Sequence, residues 1–173
     1  MAKIILFLFV LNFSHLTFAE VKQIKIRKTK LKVLKLEGWQ EVEGFYGGDF
    51  TWIGPETSGP RPVIKLDVAQ KENWSLEEEK KALPEYLINK KEWIKSKDGI
   101  FVKDELGLKS KNLSGPHLYN RIHYKIDSSS YIEEDWLIKC PKALVNISFL
   151  ITPHRLKTLS STWEEFIKSF QCQ

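Results

Sequence analysis

The sequence has no Gly-x-Ser-x-Gly elbow, no His-Glu-x-x-His pair and no glycine-rich loop of the kind that cradles phosphate. Those absences remove the serine-hydrolase, zinc-protease and nucleotide-binding signatures, so the chain is expected to be a non-enzyme that carries no cofactor. Histidine is scarce. His117 and His123 fall on one face of a strand but lie roughly 20 Å apart along it, too far to ligate one metal. Cysteine is scarcer still, and Cys140 and Cys172 are far apart with no histidine at ligand spacing, which makes a poor zinc site. No metal is expected. There is no low-complexity tract and no convincing repeat; Ser-Gly-Pro occurs twice, at Ser58–Pro60 and Ser114–Pro116, as a turn signal. Long hydrophobic runs are also missing. The main one, Ile4 to Phe13 (IILFLFVLNF), covers about ten residues, whereas a spanning helix needs roughly twenty.

That short run belongs to a different pattern. Lys3 precedes it, Ser14 and His15 follow, and Thr17-Phe18-Ala19 offers small residues at the two positions that a signal peptidase reads. Residues 1–19 are read as a signal peptide cleaved after Ala19, with an uncleaved anchor as the alternative; no cysteine near the cut supports a lipoprotein. The expected location is periplasmic or secreted, with the periplasm of a Gram-negative bacterium preferred. Residues 20–173, about 154 in number, suit a single domain able to bury a real core. Without Lys3 the chain keeps a mild positive balance of about +4, a weak preference for anionic partners.

Export puts both cysteines where thiols oxidise. A Cys140–Cys172 disulfide closing about 33 residues would stabilise the fold by roughly 3 to 4 kcal/mol; two unpaired thiols are the alternative. The six tryptophans are read as core and surface packers, or else as an aromatic-lined binding surface.

From Val21 to Leu36 apolar and basic residues interleave, with Lys22, Lys25, Arg27, Lys28, Lys30, Lys32 and Lys35 in one stretch. The preferred reading is a lysine-blunted edge strand; contact of this Lys22 to Lys35 stretch with phospholipid head groups or an acidic partner is the alternative. A strand is expected around Asp49 to Ile53, a Gly/Pro loop from Gly54 to Pro62, and a half-buried strand over Val63 to Ala69. Ser75 and Glu78 have capping-box spacing at the start of a helix carrying Leu76, Leu83, Leu87 and Ile94 along one side. Pro84 should kink that helix or begin a second one. The Glu77–Glu79 run reads as its solvated first turn.

His117 to Thr152 resolves into a three-strand meander. The first strand points Leu118, Ile122, Tyr124 and Ile126 one way and His117, Tyr119, Arg121, His123 and Lys125 the other. After a loop at Asp127–Ser130, Ile132, Trp136, Ile138 and Cys140 share a face opposite Glu133, Asp135 and Lys139. The third strand turns Ala143, Val145, Ile147, Phe149 and Ile151 inward, giving a single apolar face. A closing helix from about Thr162 carries Trp163, Phe166, Ile167 and Phe170 onto the sheet, with Cys172 near the end of the second strand. Arg121, His123 and Lys125 against Glu133 and Asp135 read as exposed cross-strand charge pairs. The other reading makes His117, Tyr119, Arg121 and His123 a polar binding face. Nucleic-acid binding is not expected, because the basic stretch lacks interleaved aromatics. Asn-x-Ser sequons stand at Asn73, Asn112 and Asn146.

The loop Asn112-Leu-Ser-Gly115, the strand with Tyr119, Arg121 and Tyr124, the two strands after it and the closing Trp163-Glu-Glu-Phe166-Ile-Lys-Ser169-Phe170 together resemble the PsbP-like fold family. That family includes the photosystem II extrinsic protein, the envelope protein DcrB, effector chaperones and a Ran-binding nuclear protein. The resemblance, over roughly Gly38 to Cys172, implies an α+β fold, an antiparallel sheet flanked by helices in an α/β/α sandwich. It also implies binding rather than catalysis. Unlike DcrB, this chain has no lipid-anchor cysteine. The expectation is an exported binding or accessory protein of the cell envelope whose partner is another envelope or secreted protein; the alternatives are an inhibitor or immunity-type protein against a secreted toxin, and a small hydrolase.

Overall fold

A seven-stranded antiparallel sheet forms the middle of the molecule, and its central strands are the ones whose sequences alternate most strictly. The computed structural model describes residues 20–56, 58–70, 75–108, 113 and 115–173. Residues 1–19 and the sequons at Asn73 and Asn112 lie outside them. The strands are β1 (Val21–Ile26), β2 (Thr29–Leu34), β3 (Gln40–Glu43), β4 (Phe50–Ile53), β5 (Val63–Ala69), β6 (Ile100–Leu108), β7 (His117–Ile126), β8 (Ser129–Cys140), β9 (Ala143–Ile151) and β10 (Gln171–Cys172); the helices are α1 (Leu76–Ser96) and α2 (Pro153–Ser169). The large sheet runs β3-β4-β5-β9-β8-β7-β6, and a small one runs β1-β2-β10.

In β9 every odd residue from Ala143 to Ile151 is buried, and Ile64, Leu66 and Val68 of β5 and Ile132, Trp136, Ile138 and Cys140 of β8 extend the same face. Trp163, Phe166 and Ile167 of α2 pack on it, as do Ile24, Ile26, Leu31 and Val33 of the small sheet. The opposite face is covered as well. Ile94 of α1 meets Ile122 and Tyr124 of β7, with Tyr86 and Leu87 alongside. The meander therefore has two packed faces, not one, and the result is an α/β/α sandwich of the expected α+β class.

Several expectations change in detail. The basic stretch is a hairpin, and only β1 is an edge; buried positions switch from even (Ile24, Ile26) to odd (Thr29, Leu31, Val33) across Arg27-Lys28, which marks the turn. Ser75 sits at the N-cap of α1 but its side chain makes no capping bond, so the capping box is not formed. The helix continues through Pro84 as one element, and of its four apolar-stripe residues only Ile94 is buried. α2 starts at Pro153, well before Thr162, because proline is pre-organised for a first helical position. Leu156 and Leu159 extend its apolar stripe toward Trp163. Cys172 lies beyond the helix in β10, opposite Leu31 of β2. It is bonded to Cys140 with Cα atoms 5.6 Å apart.

Candidate functional site

The polar residues of β7 and β8 are sorted onto two faces by their shared turn. Asp127 takes a left-handed φ of 53°, and the two-residue turn pairs Ile126 with Ser129, so odd residues of β7 stand opposite even residues of β8. Arg121 therefore faces Glu134. Glu133 and Asp135 lie on the other side, under α1, and the expected exposed pairs of Arg121, His123 and Lys125 with Glu133 and Asp135 do not form.

On the α2 side Glu134 is the hub. Arg121 donates to it through Nε at 2.9 Å, with Nη2 at 2.7 Å. The indole N–H of Trp163 donates to its other oxygen at 2.6 Å. Tyr119 stacks on Trp136 with ring centroids 4.4 Å apart, and His117 lies against the same indole at 5.8 Å. His123 is half-buried with Nε2 3.8 Å from Glu105. Burial, and then the Lys103 ammonium, hold its imidazole below the ordinary histidine range. The four sequence-predicted binding residues thus share a face, but Tyr119 and Arg121 are built into the core and the carboxylate hub.

On the α1 side Tyr86 donates to Asp135 Oδ2 at 2.5 Å and Ser148 of β9 donates to Oδ1 at 2.5 Å. Beside them Lys90 bridges both oxygens of Glu133 at 2.6 and 2.7 Å, and the Tyr124 hydroxyl donates to Glu133 at 3.0 Å. A cavity of about 220 Å³ opens next to Asp135, lined also by Leu83, Tyr86, Leu118, Asn120 and Asn146. Asn120 accepts from the amide of Gly107, whose φ of 65° serves an irregularity in β6 where a side chain would be strained. Asn146, the last sequon in the chain, is half-buried between β5 and β8 and donates to Ser148. A second concavity, an open groove of about 550 Å³, runs past Glu20, Lys35, Trp39 and Glu41. Neither concavity is lined by His117 or His154.

The α1-side cluster is what sequence reasoning missed. Its one sequence signal was the Asn146-x-Ser148 pair on the polar parity of β9, a strand with a neighbour on each side, where polar groups need partners. Among the described residues no group of three or more histidine, cysteine, aspartate or glutamate side chains is placed to hold a metal ion.

Burial, followed by the charge of Glu133, pushes the Asp135 carboxyl up to about 6, against the bonds from Ser148 and Tyr86 and the Lys90 charge, which pull it down. In the unfolded chain an aspartate titrates near 4. The folded state thus holds this proton more tightly, and the stability it contributes is complete below about pH 4 and lost as pH rises through about 6. Asp135→Asn keeps a partner for each hydroxyl and removes the titration. Urea unfolding of both proteins between pH 4 and 7 should show wild type losing up to about 3 kcal/mol relative to the variant. Parallel curves would mean that Asp135 does not titrate in this window.

No family model matches the chain, and no curated protein matches its sequence. Solved structures do match along nearly the whole chain. The cyanobacterial PsbP (CyanoP) of Synechocystis superposes with a TM-score of 0.57 at 12% identity, covering 92% of this chain and 96% of that one. The chain has the PsbP-like fold. LpqN, described as involved in cell envelope biogenesis of Mycobacterium tuberculosis, gives 0.61 at 8% identity over 89% of this chain and 91% of its own. The Ran-binding protein Mog1p of Saccharomyces cerevisiae gives 0.51 at 11% identity over 89% and 96%. At these identities the PsbP-like likeness concerns the backbone, and the Tyr86–Asp135–Ser148 cluster stands on this chain's own residues.

Proposed function

We propose that the chain is an exported, non-enzymatic binding or accessory protein of the cell envelope, found in the periplasm or secreted. The observation that carries the reading is the Cys140–Cys172 bond, a linkage at home in an oxidising compartment and in accord with the leader at residues 1–19. The fold shared with LpqN supports an envelope role. A non-catalytic reading is supported by the engagement of both buried carboxylates: Glu134 carries Arg121 and Trp163, and Asp135 carries two hydroxyls. The partner on this reading is another envelope or secreted protein.

Intact-mass analysis of the protein recovered from the envelope fraction should give a new terminus at Glu20. Single changes of His117, His123 and His154 to alanine should leave the cellular phenotype intact. Full-length chain in the membrane fraction would overturn export with cleavage, and loss of phenotype in a stably folded histidine variant would overturn the non-enzymatic reading.

A further inference from the structure

The basic hairpin has a charge distribution that edge protection does not explain. Lysines on an exposed edge discourage pairing with another chain, and β1 is such an edge; β2, however, is the central strand of the small sheet, with β1 on one side and β10 on the other. Lys30 and Lys32 project from this central strand. Lys25 stands directly opposite Lys30, and Lys32 lies between Gln23 and Gln171. Like charges directly opposite one another destabilise a strand pair. The inward residues of the same strands, Ile24, Ile26, Leu31 and Val33, are buried, so the lysines occupy the outer face.

Acidic side chains are present, but three of them pair at the open end of the hairpin and the fourth, Asp49, is engaged by Arg27 in its turn. Glu20 and Glu37 pair with Lys35, Glu41 pairs with Lys22, and Asp49 pairs with Arg27. Among the described residues Lys25, Lys28, Lys30 and Lys32 have no acidic side-chain partner. The remaining side chains of the outer face are neutral: Gln23 donates to Gln173 across it. The outward residues of β1 and β2 include no arginine and no aromatic ring, features suited to a diffuse array of negative charge rather than to bidentate recognition or stacked bases. The inference rests in part on the export reading proposed above, under which Glu20 begins the processed chain and this face can meet a bilayer surface.

We propose that the outer face of β1 and β2, through Lys25, Lys28, Lys30 and Lys32, docks the protein on a membrane surface rich in anionic phospholipid head groups. The cross-strand repulsion between Lys25 and Lys30 is relieved when phosphates supply the missing counter-charge. Each lysine brought to an anionic surface contributes roughly a fivefold gain in partition, so four of them give reversible binding that weakens steeply as salt shortens the screening length.

The test is co-sedimentation of the exported, processed protein with vesicles of phosphatidylcholine mixed with phosphatidylglycerol, against vesicles of phosphatidylcholine alone. Wild type should bind the anionic vesicles at low salt and release at high salt. The triple variant K25Q/K30Q/K32Q should lose roughly a hundredfold in partition. A control with lysines changed elsewhere on the surface, K95Q/K97Q/K157Q, has the same net charge and should keep most of the binding. The single variant Lys25→Glu separates this role from a structural one: it turns the like-charged pair into an attractive one, and should raise the melting temperature by roughly 1 to 4 °C while weakening vesicle binding. Equal binding to the two vesicle types, or an equal loss in the control triple, would overturn the proposal. Because the vesicles report on the lysine face and not on processing, these outcomes are independent of the terminus found at Glu20.

Discussion

Replacing Arg121 by alanine is expected to lower the stability of the fold by about 3 to 5 kcal/mol, the range for breaking a buried ion pair by removing one partner. Only 3% of the Glu134 side chain is exposed, against 33% of Arg121. Without the guanidinium, a carboxylate in the core keeps only neutral side-chain donors, the Trp163 indole N–H and the Tyr119 hydroxyl. The asymmetry in burial sets up a second expectation. Arg121→Ala combined with Glu134→Gln should be more stable than Arg121→Ala alone, because the amide still accepts from Trp163 and leaves no buried charge. Arg121→Lys should fall between wild type and alanine, since an ammonium cannot reproduce the two-nitrogen approach. Urea unfolding at neutral pH measures all four proteins; a loss below about 1 kcal/mol for Arg121→Ala, in the range of exposed pairs, would show that the Arg121–Glu134 contact is effectively solvated. A residue with this structural duty makes a poor probe of binding, so Arg121 variants report on the core before they report on any ligand.

The sequence was most legible where one parity of a strand is uniformly apolar. β5 and β9 satisfy that condition, and their limits and inward faces were read correctly; the elements of α2 nearest its C-terminus followed from Trp163, Phe166 and Ile167 at helical spacing. β3 and β6 were not read. β3 has one apolar residue, Val42, among Gln40, Glu41 and Glu43. β6 is an edge strand with two register shifts, and its exposed Ile100 and Val102 break any alternation. The resemblance built on the closing helix and the order of the strands pointed to the correct fold, although Asn112 and Ser114 of the Asn112-Leu-Ser-Gly115 loop that helped to suggest it lie outside the described residues.

The candidate site was less legible because its geometry depends on a turn length. Reading Asp127–Ser130 as a four-residue loop leaves the register of β7 on β8 open, and a one-residue slip exchanges Glu134 for Glu133 or Asp135 as the partner of Arg121. Tyr86 and Lys90 are one helical turn apart on α1 and meet Asp135 and Glu133, two residues apart on β8. That match is legible only after the helix has been laid across the sheet. A short-range pattern can show that a face is polar; whether the face is solvated or covered is a tertiary fact.

Cys140→Ser with Cys172→Ser should lower stability by about 3 to 4 kcal/mol, as expected for releasing a loop with a sequence separation of 32 residues. The bond does more than close that loop. Cys140 ends β8 of the large sheet, while Cys172 sits in β10 and pairs with Leu31 of β2, so the covalent link clamps the small sheet to the large one. β10 has only two residues, too few to hold its place by pairing alone. The double variant should therefore lose hydrogen-exchange protection at β10 and along β2 before it unfolds globally, while β5, β8 and β9, each paired on both sides within the large sheet, keep theirs. Reducing agent should bring wild type down toward the variant and leave the variant unchanged. Thiol titration of unfolded, non-reduced protein from the envelope supplies the direct check. Two reactive thiols would remove both the clamp and the observation on which the export reading rests; none, together with the predicted exchange pattern, would make the bond the element that keeps the lysine face of β1 and β2 fixed to the rest of the molecule.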